Sequence, residues 1–383
     1  MLDKFLTLAD IDGVTLDSET TFADLTTLRI GGAPLVTVRC ASAEAAIAAL
    51  AALDGASQDY LVVGGGSNLV VAEGQLDVVV VILDFEDIDA SVADGLVRAD
   101  AGAVWDDVVA LSVDCGLGGI ECLSGIPGNA GAVPVQNVGA YGAETSDVLT
   151  QVYLYERATR TAKWVPAEEL ELSYRYSNLK FTGCGVVLAI ELQLTTDGLS
   201  KPLRFGQLTQ NPGERRPVAD VREEVLKLRR GKGMVLDPDD HDTWSAGSFF
   251  TNPIVEPELA DSIQATVRAA RGDEDADRMP RHVVDGTTTS GGDTASGEDA
   301  AAEKKEKLSA AWLIERAGFA KGYPGVETGA RATLSTKHTL ALTNRGEATA
   351  EDIVALAREI RAGVQKAFGV TLEPEPIWLG VSI

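Results

Sequence analysis

The sequence predicts a multi-domain chain of mixed α/β and α+β class, and three observations carry that expectation. Its 383 residues are 45% hydrophobic and 24% charged, enough apolar material to bury more than one core and to divide into two or three domains. The first half alternates β-branched runs with segments of helical period. The second half is dominated by charged segments that carry apolar stripes at helical spacing.

Taken in chain order, AEAAIAALAAL (43 to 53) is alanine- and leucine-rich with helical spacing, and it leads into YLVVGGGSNLVV (60 to 71), which reads as strand, turn, strand. VVVVILDF (78 to 85) is a buried strand. VWDDVVALSVDCGLGG (104 to 119) is an amphipathic helix ended by glycine, and QVYLYE (151 to 156) and VVLAIELQL (186 to 194) are strands. VADVREEVLKLRRGKG (218 to 233), KLSAAWLIERAG (307 to 318) and AEDIVALAREIRAGVQKAF (350 to 368) are helices. Residues 271 to 306 are poor in large apolar groups and rich in Gly, Ser, Thr and acid, the composition of a flexible insertion.

Lys+Arg 33 against Asp+Glu 58 gives a net charge of -25, a field that disfavours nucleic acid and anionic membrane surfaces as partners. The opening MLDKFLTLADIDG has no cationic lead before an apolar core, and no stretch reaches membrane-span length, so no membrane insertion and a cytoplasmic location are expected. Cys40, Cys115, Cys122 and Cys184 form no C-x-x-C pair, and His241, His282 and His338 lie far apart. Neither a disulfide framework nor a metal site is expected.

Two glycine-rich stretches offer a ligand close access to backbone. G-G-G-S-N (64 to 68) is followed by LVVAEG instead of a helix start, which excludes a Rossmann fingerprint. Its amides either wrap phosphate oxygens as a nest or form a plain hairpin turn. GIPGNAGAVPVQNVGAYG (125 to 142) holds five glycines, two prolines and no charge. Such a backbone either packs against a flat ligand, with Gln136 and Asn137 offering hydrogen bonds, or forms a buried loop satisfied by its own chain.

Four further features are ambiguous on residue type alone. Ser248 stands in SAGSFFTNP between a glycine and two phenylalanines, and reads as a turn or N-cap serine unless its hydroxyl has chemistry to do. Arg175 is flanked by Tyr174 and Tyr176, which suits a partly covered cation, although most arginines are simply exposed. Glu375 is held extended between Pro374 and Pro376, yet it and Glu373 could both be solvated acids. REEVLKLRRGK (222 to 232) places five bases and two acids in an acidic chain, which suits a diphosphate or an exposed helix face.

Together GGGSNLVV and IPGNAGAVPVQNVGAYG resemble the flavin-binding segments of the UDP-N-acetylenolpyruvoylglucosamine reductase (MurB) family. TTLRIGG (26 to 32), SYRYSNLK (173 to 180), AGSFFTNP (246 to 253) and LEPEPIWLG (372 to 380) agree in the same order, so the resemblance covers nearly the whole chain. The most specific parts are GAYG, YRYS, GSFF-x-NP and LEPE. The resemblance implies a vanillyl-alcohol-oxidase (PCMH) type FAD-binding fold plus a C-terminal α/β substrate-binding domain. Residues 1 to 75, completed by 366 to 383, and residues 76 to 235 would be the two flavin-binding subdomains, and 236 to 365 the substrate domain. It implies NADPH-dependent reduction of UDP-N-acetylglucosamine enolpyruvate to UDP-N-acetylmuramate for peptidoglycan. A monomer is expected.

By the same resemblance, hydride passes from flavin N5 to the terminal enol carbon, Ser248 protonates the adjacent carbon, Arg175 meets the carboxylate and Glu375 assists in stabilising charge. FAD contacts are implied for Gly64, Gly65, Gly66, Ser67, Asn68, Leu69, Pro127, Gly128, Ala132, Pro134, Gln136, Asn137, Gly139, Ala140 and Gly142. Attachment is expected to be non-covalent, because no His or Cys stands in these loops. Substrate contacts are implied for Tyr141, Tyr174, Phe205, Lys232 and Asn252, with Lys232 at phosphate. Phe205 departs from the family, which carries tyrosine there, so a ring persists without its hydroxyl and substrate affinity is in doubt. The rivals are another flavin oxidase or dehydrogenase of the same fold, which would not need Ser248 as acid, and a catalytically silent flavin or nucleotide-sugar binding protein.

Overall fold

Ser42 starts the first long helix, its side chain accepting from the Ala45 amide at 3.1 Å. Helix Ala43–Gly55 then buries Ala45, Ala46, Ala49, Leu50 and Leu53 along one face, the spacing expected of an amphipathic helix on a sheet. The structure, a computed structural model, describes residues 2–204, 206–284 and 304–383. It separates into two compact units, Met1–Thr26 with Gly31–Ser67 and Glu73–Leu236, and Thr27–Ile30 with Asn68–Ala72 and Asp237–Ile383.

In the first unit, Val36–Cys40 pairs antiparallel with Val14–Asp17 and parallel with Val79–Leu83, which in turn pairs parallel with Tyr60–Val62. Val79, Val80 and Val81 are all fully buried, as expected for a parallel strand covered on both faces. A second sheet is antiparallel throughout, in the order Thr161–Pro166, Leu149–Glu156, Gly185–Gln193, Leu96–Asp100 and Ile88–Ser91. Val186 and Leu188 face the core shared with the first sheet. The intervening Val187 points into a separate core built with Trp105, Val108 and Val109 of helix Trp105–Asp114.

In the second unit, helix Ala350–Phe368 is fixed at both ends. Thr349 and Asp352 form a capping box, and Gly369 takes the left-handed conformation at φ 71° that stops the helix. Its buried face, including Ile353, Ala357, Ile360 and Val364, packs in one core with Leu313 of helix Ala310–Arg316 and with Leu334 and Leu342. Those last two belong to the antiparallel pair Ala332–Leu334 and Leu342–Asn344. Leu69–Val71 pairs parallel with Ile377–Leu379.

Several sequence readings change. The glycines at 64 to 66 do not close a hairpin, because the strands on either side of them take different partners, Val79–Leu83 and Ile377–Leu379. The helix expected from residue 307 begins at Ala310, since Lys305–Leu308 is a strand between Ile254–Val255 and Arg281–Val284. That strand and helix Asp273–Asp277 lie at the edges of the supposed flexible insertion. They are ordered by burial of Ala276 and Met279 and by Arg281, which bonds Glu306 and Asp261. Residues 285 to 303 of the insertion lie outside the described residues.

Asp54, at the end of helix Ala43–Gly55, shows how this scaffold is held. Its carboxylate accepts from Tyr155 Oη at 2.9 Å, Tyr60 Oη at 3.2 Å and Arg157 Nε at 2.8 Å. Burial pushes both phenols above their ordinary range, so they remain protonated donors. Asp54→Ala leaves these groups without their acceptor and should cost about 3 kcal/mol in chemical denaturation, with Asp54→Asn retaining part of that loss.

Candidate active site

The glycine turn after strand Tyr60–Val62 is shaped by close backbone approach. A Cβ on Gly66, whose φ is +56°, would lie 1.9 Å from the Leu25 carbonyl oxygen, and one on Gly65 would lie 2.8 Å from Gly128 Cα. Ser67 Oγ donates to the Pro127 carbonyl at 2.9 Å and ties the two glycine segments together. On the far side of the second segment, Trp105 N donates to Gly128 O, Ala130 N to Ala103 O and Gly131 N to Ala101 O, at 2.8 to 3.0 Å. Among the described residues, the amides of Gly64, Gly65, Gly66, Ser67, Gly128 and Asn129 donate to no protein acceptor. Six donors on two touching turns form a cradle suited to an anion such as a pyrophosphate.

The loop that follows is strained and internally braced. Asn137 (φ 43°), Tyr141 (φ 52°) and Arg175 (φ 56°) are all left-handed without being glycine. The Asn137 side chain is buried and engaged by protein: Nδ2 donates to Glu144 Oε2 and Ser173 O, each at 3.0 Å, and Oδ1 accepts from Ser146 N at 2.9 Å. These bonds brace the loop, an intramolecular role beside the ligand contact that the resemblance implies. Gly139–Ala140 and Ala143–Glu144 form a hairpin whose two turn residues, Tyr141 and Gly142, both have positive φ, the geometry of a type I′ turn. Gly142 supplies the usual residue type, and Tyr141 occupies the position that asparagine commonly takes.

Arg175 Nη2 donates to the Gly139 carbonyl at 2.7 Å, and its guanidinium lies 5.2 Å from the Tyr174 ring. Lys180, only 7% exposed, donates from Nζ to the Arg175 carbonyl at 3.0 Å. The same unit puts Lys232 Nζ 5.7 Å from the centre of the Tyr141 ring and within 3.3 Å of Gln207 Oε1. Arg229 donates to the Met234 carbonyl at 2.7 Å, and its Nε has no hydrogen-bond partner among the described residues. Burial raises the Tyr141 phenol and lowers the Arg229 guanidinium from their ordinary values.

In the second unit, the Ser248 segment runs between two neighbours. Phe249 N donates to Leu340 O at 2.8 Å, Glu375 N to Phe249 O at 2.9 Å and Thr251 N to Glu373 O at 2.9 Å. Ser248 and Glu375 are thus joined through one shared residue, and Asn68 Nδ2 reaches the Glu375 carbonyl at 3.4 Å. Phe249 and Phe250 are buried, which fixes the strip to the core. Ser248 Oγ lies 3.3 Å from His338 Nε2. Asn252 Oδ1 accepts from Ala310 N at 3.0 Å. The turn carrying His338 is pinned by Asp242, which accepts from both the amide and the hydroxyl of Thr336 and from Arg345 at 2.9 Å.

Of the residues singled out in the sequence, Gly65 meets Gly128, Ser67 meets Pro127, Gly139 meets Arg175, Tyr141 meets Lys232, and Ser248 is linked to Glu375 through Phe249. Leu69 is buried in its strand, Pro134 is buried, and Ala132 is exposed. Phe205 lies outside the described residues. Sequence reasoning gave no role to His338, Lys180 or Asn129. Lys180 carried a signal in its apolar neighbours Leu179 and Phe181, whereas His338 had none, since its partner lies 90 positions away.

Residues 34–160 match the family model described as FAD binding domain, and residues 237–379 match UDP-N-acetylenolpyruvoylglucosamine reductase, C-terminal domain. The UDP-N-acetylenolpyruvoylglucosamine reductase of Corynebacterium glutamicum (strain R) is 62% identical over 392 residues, spanning 100% of both chains. That of Mycobacterium tuberculosis (strain ATCC 25177 / H37Ra) is 50% identical over 370 residues, 94% of each. The crystal structure of MurB from Thermus caldophilus superimposes with a TM-score of 0.60 at 23% identity, covering 96% of this chain and 99% of that one. The fold is therefore shared with that enzyme, a flavin-binding α/β portion of vanillyl-alcohol-oxidase type followed by a C-terminal α/β domain.

Asp242 makes the turn at 335 to 341 pH-sensitive. Burial alone would raise its carboxyl, but the Thr336 hydroxyl and amide and the Arg345 guanidinium outweigh it and hold the group below the usual carboxylate range. A depressed folded value means stabilisation that is complete above the unfolded value and lost as pH falls through the folded one. Denaturation midpoints should therefore drop between pH 7 and pH 3, and Asp242→Asn should shrink that drop while costing about 1–3 kcal/mol at pH 7.

Proposed function

The chain belongs to the UDP-N-acetylenolpyruvoylglucosamine reductase family, and from that premise we propose that it reduces UDP-N-acetylglucosamine enolpyruvate to UDP-N-acetylmuramate in peptidoglycan precursor synthesis. It is an NADPH-dependent flavoprotein oxidoreductase. FAD, when bound, supplies the hydride chemistry that links NADPH to the enolpyruvyl group. The observation that carries this reading is the pair of touching glycine turns with six amide donors left over. That donor set fits a pyrophosphate, and Gly65 and Gly128 leave no side chain in its way. Non-covalent binding is supported by the absence of His and Cys from 64 to 69 and from 125 to 142.

The roles of the individual residues follow from their chemistry. Hydride addition to the terminal carbon leaves negative charge on the adjacent carbon and its carboxylate. Arg175 offers that carboxylate a permanent cation whose fork is already oriented by the Gly139 carbonyl. Ser248 donates the proton to the adjacent carbon, with the buried rings of Phe249 and Phe250 helping to exclude competing water. Glu375, extended between its prolines, assists in stabilising the developing charge.

Lys232 and Tyr141 meet the diphosphate and the sugar, Tyr174 flanks Arg175, and Asn252, whose oxygen accepts from Ala310 N, offers its Nδ2 to the substrate. Phe205 lacks the hydroxyl of the family tyrosine, which should weaken substrate binding more than chemistry. We assign flavin binding to residues 1–235 with 366–383, and substrate binding to 236–365. Among the described residues no helix is long and apolar enough to cross a membrane. A cytoplasmic monomer is the simplest form consistent with the charge of -25.

The test is anaerobic. NADPH should bleach the flavin absorbance of the purified protein, and the enolpyruvyl UDP-sugar should restore it without oxygen. Prompt reoxidation by oxygen alone, with none by the sugar, would mark an oxidase of the same fold, and a yellow protein that never consumes NADPH would mark a binding protein. Ser248→Ala should slow reoxidation by substrate about 100-fold or more and spare reduction by NADPH. Gly65→Val should purify with markedly less flavin, because its side chain meets Gly128 in the space where the two turns touch.

A further inference from the structure

A lone alcohol is an awkward proton donor. Once it has protonated a carbon it is left as an alkoxide in a half-buried site, where a bare charge is costly. Ser248 is not alone: His338 Nε2 stands 3.3 Å from its Oγ, and the backbone of the turn that carries His338 is held in place. Ser335 Oγ accepts from the amides of Lys337 and His338 at 3.0 and 3.2 Å. Ala341 N donates to the His338 carbonyl at 3.1 Å, and Ser335 N to the Ala341 carbonyl at 2.8 Å. Phe249 N then bonds Leu340 O at 2.8 Å, so the residue after the serine is fastened to the turn that bears the histidine.

We propose that His338 is the positioning and proton-resupply residue for Ser248. This rests on the reading of Ser248 as the proton donor. As the Oγ–H bond breaks, its proton is captured by the carbanion lone pair and a C–H bond forms. In the same event the Nε2–H bond of the His338 imidazolium breaks and its proton restores the hydroxyl. Neutral imidazole remains and is reprotonated from water. No electrons are exchanged with the protein in this step. The charged groups near this turn include Asp240, bonded to Lys337, and Asp237, which also acts on that lysine, Asp242 with Arg345, Glu315, bonded to Thr339 and to Arg316, and Glu375, whose backbone amide bonds Phe249.

The experiment separates orientation from proton supply and uses the flavin-loaded full chain. In wild type, the rate of flavin reoxidation by the enolpyruvyl UDP-sugar should fall as pH rises through the His338 titration. His338→Gln keeps a polar atom near the Nε2 position but cannot titrate. It should slow reoxidation about 10-fold, lose the pH limb and leave the substrate concentration for half-maximal rate unchanged. His338→Ala should slow reoxidation about 100-fold. A readout independent of turnover is the imidazole resonance of His338, one of three histidines in the chain, whose titration midpoint should move in Ser248→Ala while those of His241 and His282 stay put. A pH limb that persists in His338→Gln, or wild-type reoxidation in His338→Ala, overturns the proposal. If Ser248→Ala itself reoxidises normally, the failure belongs to the serine assignment and not to the histidine alone.

Discussion

Irregular backbone that leaves water must still find partners for its N–H and C=O groups, and that constraint organises both halves of this molecule. In the second unit it is met internally. The strip around Ser248 carries no regular strand of its own, yet Phe249 gives its amide to Leu340 and its carbonyl to Glu375. Two residues 127 positions apart in the chain are thereby fixed through a single intervening peptide. In the first unit the same requirement is met on one side only. Gly128, Ala130 and Gly131 use the chain before and within helix Trp105–Asp114, while the amides of Gly64 to Ser67 donate to no acceptor among the described residues. What is incomplete as protein structure is complete as a binding surface.

Backbone strain falls on residues of the candidate site as well as elsewhere in the chain. Three residues with side chains, Asn137, Tyr141 and Arg175, sit in the left-handed region, at a cost on the order of 1 kcal/mol each. Each is held there by specific neighbours. Asn137 is satisfied by Glu144, Ser173 and Ser146. Arg175 is held at its guanidinium by Gly139 and at its carbonyl by the buried Lys180. Tyr141 is forced by the two-residue turn of its hairpin. Such over-determination is how a fold keeps side chains pre-oriented instead of letting them relax into the ordinary wells.

Regular elements with strong periodicity were legible in the sequence, and irregular ones were legible only through residue type. Helix Ala350–Phe368 matches its apolar stripe residue for residue, because a capping Thr349 and a stopping Gly369 bracket it. Strand Lys305–Leu308 was hidden, since KEKL has the composition of an exposed helix and becomes a strand only by pairing with Ile254–Val255 and Arg281–Val284. The resemblance singles out the glycine turns, Ser248, Arg175 and Glu375, but it could not say that the Asn137 side chain bonds Glu144, Ser173 and Ser146. Nor could any local pattern reveal His338, whose meaning lies in a contact made across the fold.

Leu69–Val71 lies beside Ile377–Leu379, and Leu28, Ile30 and Val70 share a core with Leu372 and Phe368. A growing chain emerging from the ribosome therefore carries early apolar segments whose partners are synthesised some 300 positions later. Until then those segments lack the strand and core partners they have in the folded chain, and the second unit cannot close. Its assembly is timed by translation as much as by stability.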